Sequence, residues 1–213
     1  MWMRRRLRKP LSLANACYRI GDFDNAIALA DRILAVAVKA SGDALAAHEL
    51  RREHALHVKG LVAYEKGDVT EAEKLLSKAS VHGWYLRALI AHARGEDKAA
   101  IELCRAMLAQ RPSAVRPALL LAWLMHKADA DGATKLARQQ VEANPASIDA
   151  LEVLARIATD PAETATATTS RDQLLAGNPD ADRYLGLLRQ ELDKGVWVYP
   201  ARYGKPLPRA ERQ

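Results

Sequence analysis

The sequence predicts an all-α protein built from helical hairpins, and three observations support this. Only 5% of the residues are aromatic, whereas alanine, leucine and charged residues are abundant, a composition typical of helical domains. Small or apolar residues recur every three or four positions, which gives each predicted helix one apolar stripe. Turn signals such as Gly21-Asp22, Gly67-Asp68 and Asn144-Pro145 interrupt those stripes at short intervals. The chain is therefore expected to fold back on itself repeatedly.

The clearest hairpin lies at residues 84–112. Its first helix carries Trp84 and Ala88 on one face, and Gly95 breaks that helix before a second one that ends at Pro112. A lone hairpin of this size cannot bury two apolar stripes. We therefore expect it to stack against neighbouring hairpins.

The other helices follow from their start and stop signals. Residue types that cap a first turn precede six of them: Asp22, Asp43, Asp68, Ser147, Asp160 and Asp180. Pro10 suits the first turn of the first helix. The predicted helices cover residues 10–20, 23–39, 44–66, 69–79, both arms of 84–112, 114–127, 132–143, 148–159, 161–176 and 181–194.

Small residues and prolines recur with a fixed spacing. Pro112, Pro145 and Pro179 follow helices at intervals of 33 and 34 residues. Two positions per hairpin are occupied mostly by small side chains, which allow two helices to approach closely. They are Ala14 with Ala26, Gly60 with Ala72, Ala88 with Ala100, Leu121 with Ala133, and Ala155 with Ala167.

This pattern resembles the tetratricopeptide repeat (TPR), a helix–turn–helix unit of about 34 residues. The resemblance covers residues 10–194 and implies a right-handed α-solenoid of about five repeats plus a capping helix, with extended termini. It departs from the family pattern at Leu121 and in the repeat spacing between residues 40 and 84. The long helix 44–66 is expected to project its first turns beyond a normal repeat.

The resemblance also implies a concave groove in which the family holds peptides or helices. The alternative is that several groove residues only coat a solvated helix face. By position in the repeat, partner contacts are expected from Asn15, Arg19, His54, His57, Leu61, Tyr64, Tyr85, Leu89, His92, Met125, His126 and Arg156.

The net charge of +6 is concentrated at the two ends of the chain. The N-terminal arm, residues 1–9, holds five positive charges, and the body is slightly acidic. Such an arm suits three roles, namely a solubilising segment, contact with RNA or DNA phosphates, or contact with an anionic membrane surface. The arm residues are Arg4, Arg5, Arg6, Arg8 and Lys9.

The C-terminal tail, residues 195–213, keeps no helical period and contains three prolines. Its aromatic residues, Trp197, Tyr199 and Tyr203, are of the type that anchors protein interfaces. We expect them to bind a partner, the alternative being that they dock on the last helices of the chain itself.

Catalytic and metal-binding chemistry is not indicated. The sequence has no CxxC, HExxH, GxSxG or phosphate-binding glycine loop. His54 and His57 alone do not make a zinc site, and Cys17 and Cys104 are interpreted as buried thiols of a reducing, cytoplasmic compartment. Neither a signal peptide nor a membrane span is indicated, although peripheral association with a membrane-bound assembly stays open.

We therefore expect a non-catalytic scaffold or adaptor without cofactor, metal or small-molecule substrate. It would be a subunit or assembly factor of a larger complex and would grip protein partners with its groove and both ends. The alternative is a nucleic-acid- or anionic-membrane-associated TPR protein anchored by the basic arm.

Overall fold

A computed structural model describes residues 2–37, 41–177 and 180–197, with the side chains of residues 2–10 and 81–82 left out. Over these residues the protein is all-α. Its eleven helices are α1 (Trp2–Arg19), α2 (Phe23–Leu34), α3 (Asp43–Glu65), α4 (Val69–Ser77), α5 (Val81–Ala93), α6 (Asp97–Gln110), α7 (Val115–Met125), α8 (Ala130–Ala143), α9 (Ile148–Ile157), α10 (Pro161–Leu175) and α11 (Ala181–Lys194).

Consecutive helices pack as adjacent antiparallel pairs. In the first part of the chain α1 packs on α2, α2 on α3 and α3 on α4. From α6 to α10 each helix packs on the next, and α7 also packs on α9. Contacts between neighbours and next-but-one neighbours are typical of helical repeats. The predicted superhelical winding stays a prediction.

The chain divides into two compact units, and the boundary falls inside α5, between Arg87 and Ala88. In the first unit Ala30, Ile33 and Ala55 form a core cluster that brings α2 and α3 together. In the second unit, from Ala88 onward, a core cluster draws on α7, α8, α9, α10 and α11.

The predicted small-residue positions are buried, apart from the half-buried Ala155. Gly60 shows what the small size achieves. A Cβ atom at this residue would lie 2.7 Å from Leu76 Cγ, so α3 and α4 could not approach as closely with any larger residue. Leu121, the departure from the repeat pattern, is also buried, at 6% exposure.

Most predicted helix caps are confirmed. Asp22, Asp68, Ser147 and Asp160 each accept a hydrogen bond from a first-turn backbone amide. The prediction for Asp43 is wrong, because Gly42, at a φ of 57°, is the N-cap residue and Asp43 lies inside the first turn. The carboxylate there still interacts favourably with the positive end of the helix dipole.

Two helix boundaries differ clearly from the prediction. α1 begins at Trp2 rather than at Pro10, so residues 2–9 are helical and not extended. Methionine, leucine, arginine and lysine there all favour a helix. α2 ends at Leu34 rather than at residue 39, because β-branched valines follow and Arg52 of α3 donates a hydrogen bond to the Leu34 carbonyl oxygen at 3.0 Å.

The first turns of α3 are mostly exposed. Residues 43–46 are all exposed, with Leu45 at 40%, whereas His48 is only 5% exposed. Whether these turns project beyond a normal repeat stays a prediction. No helix in the described part of the chain is long and apolar enough to span a bilayer.

Candidate functional site

The last helix, α11, packs along α9 and also contacts α7 and the end of α5. Three charged residues share one face of α9, and each pairs with a side chain of α11. The pairs follow the same order along both helices, so α9 and α11 run parallel. They are Asp149 with Tyr184, Glu152 with Arg189, and Arg156 with Asp193.

Glu152 is the buried centre of this contact. Its side chain is fully buried, and its carboxylate accepts hydrogen bonds from Arg171 of α10 and Arg189 of α11. The Arg189 Nε to Glu152 Oε1 distance is 2.6 Å. The hydrogen bond to Glu152 raises the pKa of Arg189 above its usual value. One carboxylate thus joins three helices.

The last turn of α11 is also bound to α7. Arg116 Nη2 donates to Glu191 Oε2 at 2.8 Å, and the Glu191 side chain is only 2% exposed. The guanidinium group of Arg116 also lies over the Trp197 ring, 5.4 Å from its centroid, just beyond the end of α11. A cation over an indole face is a favourable arrangement. Arg116 therefore binds both the acidic last turn and the segment that follows it.

The C-terminal end of α11 meets α5. His92 Nε2 lies 2.8 Å from the Leu192 carbonyl oxygen, and Nδ1 lies 2.6 Å from Asp97 Oδ1. The imidazole ring therefore lies between the end of α11 and the first turn of α6. This histidine therefore caps a terminal carbonyl of α11.

Gly195 lets the end of α11 come this close to α5. Its φ is 61°, in the left-handed region that favours glycine. A Cβ atom here would lie 2.3 Å from the Leu89 carbonyl oxygen. Larger residues are therefore excluded both by conformation and by space.

Apolar contacts complete the interface. Leu188 and Leu192, four residues apart on α11, belong to the core of the second unit, at 6% and 2% exposure. Tyr184 packs against the same core. The face of α11 that meets the unit is thus an apolar stripe flanked by charged side chains on both sides.

A cleft of about 200 Å³ lies beside this interface. His92, Trp123, His126 and Asp193 are among the side chains that line it. The Arg156 guanidinium lies over the Trp123 ring, 4.2 Å from its centroid, and its Nη2 donates to Asp193 at 2.8 Å. Trp123 and His126 also stack, with their ring centroids 4.7 Å apart.

The predicted groove residues of the second unit gather around α11. His92 and Arg156 contact α11, and His126 lines the neighbouring cleft. Met125 packs against the core, and Leu89 is fully buried. Whether this set binds a partner stays a prediction, because the protein's own helix occupies the face.

The predicted groove residues of the first unit range from exposed to buried in the core. Asn15 is half-buried and donates a hydrogen bond from its side-chain amide to the Leu11 carbonyl oxygen at 3.2 Å. Leu61 and Tyr85 belong to the core, at 3% and 9% exposure. The exposed or half-buried members are Arg19, His54, His57 and Tyr64.

The predicted end sites are only partly described. Trp197 lies under Arg116 of α7. This aromatic residue therefore contacts the chain's own helices, which was the alternative to binding a partner. Tyr199 and Tyr203 lie outside the described residues. The basic residues of the arm lie in α1, a helix of which only the backbone is described up to Pro10.

Arg156 was predicted as a groove residue, but the acids Asp149 and Glu152 on the same face of α9 were not, although a signal was available. Asp149, Glu152 and Arg156 are spaced three and four residues apart on a helix that is otherwise apolar. The two acids are 5% and 0% exposed. Buried charges are rarely left unpaired, so such a row indicates a partner of complementary charge.

Two further features of the second unit are a buried cysteine and a second cleft. Burial raises the pKa of the Cys104 thiol to about 12, so it holds its proton at neutral pH. Within these residues, histidine, cysteine, aspartate and glutamate form no group of three or more that could hold a metal ion. A second cleft, of about 530 Å³, lies between α8, α9 and α10, and the paired Arg138 and Glu163 lie on its wall.

No protein-family model matches the chain, and no curated protein is similar enough to count as a match.

Proposed function

We propose that the protein is a non-catalytic, TPR-like scaffold or adaptor that holds protein partners within a larger complex. The observation that supports this most directly is the burial of the small residues at the repeat positions. Gly60 is the clearest case, since its missing side chain sets the distance between α3 and α4. Helices packed in this way present long faces suited to other helices or extended peptides.

The second unit offers the better-defined binding face. Its α7 and α9 direct arginine, tryptophan and carboxylate side chains toward α11, and arginine and tryptophan are enriched at protein interfaces. Charged pairs across such a face select the partner and its orientation more than they add affinity. A scaffold needs this kind of selectivity.

Affinity isolation tests the proposal. Full-length protein, tagged and isolated from its source organism at low salt, is expected to bring down a stoichiometric protein partner that mass spectrometry identifies. Deleting residues 196–213 should weaken that complex, and deleting residues 2–9 provides the matched truncation at the other end. Isolation of the chain alone under these conditions would count against a scaffold role.

The basic arm supports a second candidate function. Five positive charges lie within residues 4–9, and because the net charge of the chain is +6, the rest of the chain carries a net charge of only +1. We propose contact with nucleic-acid phosphates or an anionic membrane as the alternative role. Binding to RNA or DNA should fall steeply with salt concentration and disappear when Arg4, Arg5, Arg6 and Arg8 become alanine. Binding to vesicles should rise with their anionic lipid content.

A further inference from the structure

We infer that the face formed by α7, α9 and the end of α5 is a binding site for an amphipathic helix of a partner protein, and that α11 occupies it as an internal ligand. The partner helix would carry two leucines four residues apart, two carboxylates in its last turn and an arginine that meets Glu152. This inference rests on the proposed scaffold function and specifies the partner for the same face.

The chemistry of α11 defines what the face accepts. Leu188 and Leu192 enter the core, while Glu191 and Asp193 meet Arg116 and Arg156. Arg116 lies on α7 and Arg156 on α9, and their partners on α11 are only two residues apart. A helix that binds this face must therefore present both carboxylates within one turn. A helix with basic residues at those positions would place like charges together.

A partner helix can take the place of α11 only if it remakes the buried ion pairs. Breaking such a pair without replacing it would leave an uncompensated charge inside the protein. The apolar part of the interface depends mainly on a few leucines. A partner helix that offers the same leucines and carboxylates, with an arginine at the position of Arg189, would make the same contacts. It would then compete with α11, which is present at the effective concentration set by its link to the chain.

The route by which α11 leaves is short. Only residues 176–180 connect it to α10, and Gly177, at a φ of 77°, has open space around it. At the other end, contact with α5 is made by His92 and by the close approach of Gly195. Release of α11 requires breaking these contacts and those of Leu188 and Leu192 with the core, while the contacts between successive helices from α7 to α10 do not involve α11.

The test uses a full-length chain whose own α11 is repelled from the site. In the Glu191→Arg/Asp193→Arg variant, Arg116 and Arg156 stay in place and face positive charges. The probe is a fluorescent peptide with the native sequence of residues 180–197. We expect saturable binding of this peptide to the variant, and binding roughly tenfold or more weaker to the wild-type chain, whose site is filled.

A charge exchange controls for misfolding. The Arg116→Glu/Arg156→Glu chain should reject the native peptide and bind the peptide that carries Arg at positions 191 and 193. Such rescue cannot come from a chain that merely unfolds, and circular dichroism reports helicity in each case. Equal peptide binding by wild-type and opened chains, or none by an opened chain that stays helical, would overturn the inference.

Two further outcomes also contradict it. Loss of cooperative unfolding in the opened chain would show that α11 belongs to the core. Stable dimers of the wild-type chain that exchange α11, detected by light scattering, would assign the site to a second copy of the protein. The affinity isolation described above is independent of the peptide, so a scaffold whose partner binds elsewhere remains distinguishable from a protein without partners.

Discussion

Replacing Glu152 by glutamine removes one negative charge from the interior of the second unit while keeping the side chain's size. In the wild-type protein this carboxylate is fully buried between Arg171 and Arg189. The substitution leaves both guanidinium groups facing a neutral amide, whose NH₂ group cannot accept their hydrogen bonds. We expect a clear loss of stability.

The structure sets the size of that loss. Removing one partner of a buried ion pair typically costs about 3–5 kcal/mol. Arg189 is 45% exposed, so solvent screens it and its share is small. Arg171 is only 11% exposed, but Asp172 also binds it, at 2.7 Å. We therefore expect Glu152→Gln to lower the free energy of unfolding by about 2–3 kcal/mol.

Urea denaturation followed by circular dichroism measures this change. The matched control is Glu102→Gln, which removes a carboxylate from the exposed pair with Arg105. Solvent screens that pair, so its loss should leave stability almost unchanged. A loss below about 1 kcal/mol for Glu152→Gln, or equal losses for both variants, would refute the buried-network explanation.

Two further predictions concern packing and reactivity. Gly60→Ala should destabilise the protein by about 1–3 kcal/mol, because its methyl group meets the buried Leu76. Gly186→Ala, a helical glycine with nothing within 4 Å of an added Cβ, should instead stabilise it by about 0.5–1 kcal/mol. The difference between their urea midpoints is the measurement, and equal shifts would contradict the close helix approach. The Cys104 thiol, whose pKa burial raises to about 12, should resist alkylation at pH 8 because reaction requires the thiolate. The half-buried Cys17 should react first, and labelling at Cys104 before Cys17 by mass spectrometry would be the contrary result.

The repeat spacing predicted the helices well because local signals control where they begin and end. Asp68 and Asp160 act as caps through bonds to amides two or three residues away, and such bonds need no tertiary context. The end of α2 could not be predicted in this way. It depends on Arg52, eighteen residues further along the chain, which binds the last carbonyl oxygen.

The candidate site could be predicted only in part for a related reason. Position in the repeat identified His92, His126 and Arg156 as residues of one face, and the structure places them around one helix and its adjoining cleft. Position in the repeat could not identify α11 as the helix that covers this face. That placement depends on pairs such as Arg116 with Glu191, which lie 75 residues apart.

The state of α11 decides the central claim, and amide hydrogen exchange measures it most directly. In the wild-type chain we expect the amides of residues 181–194 to exchange together and faster than those of α7 and α9, because α11 opens without global unfolding. Glu191→Arg/Asp193→Arg should accelerate exchange in α11 while leaving α8 unchanged. Exchange of α11 as slow as that of α9, in both chains, would show that α11 is a fixed part of the core and would contradict its role as an internal ligand.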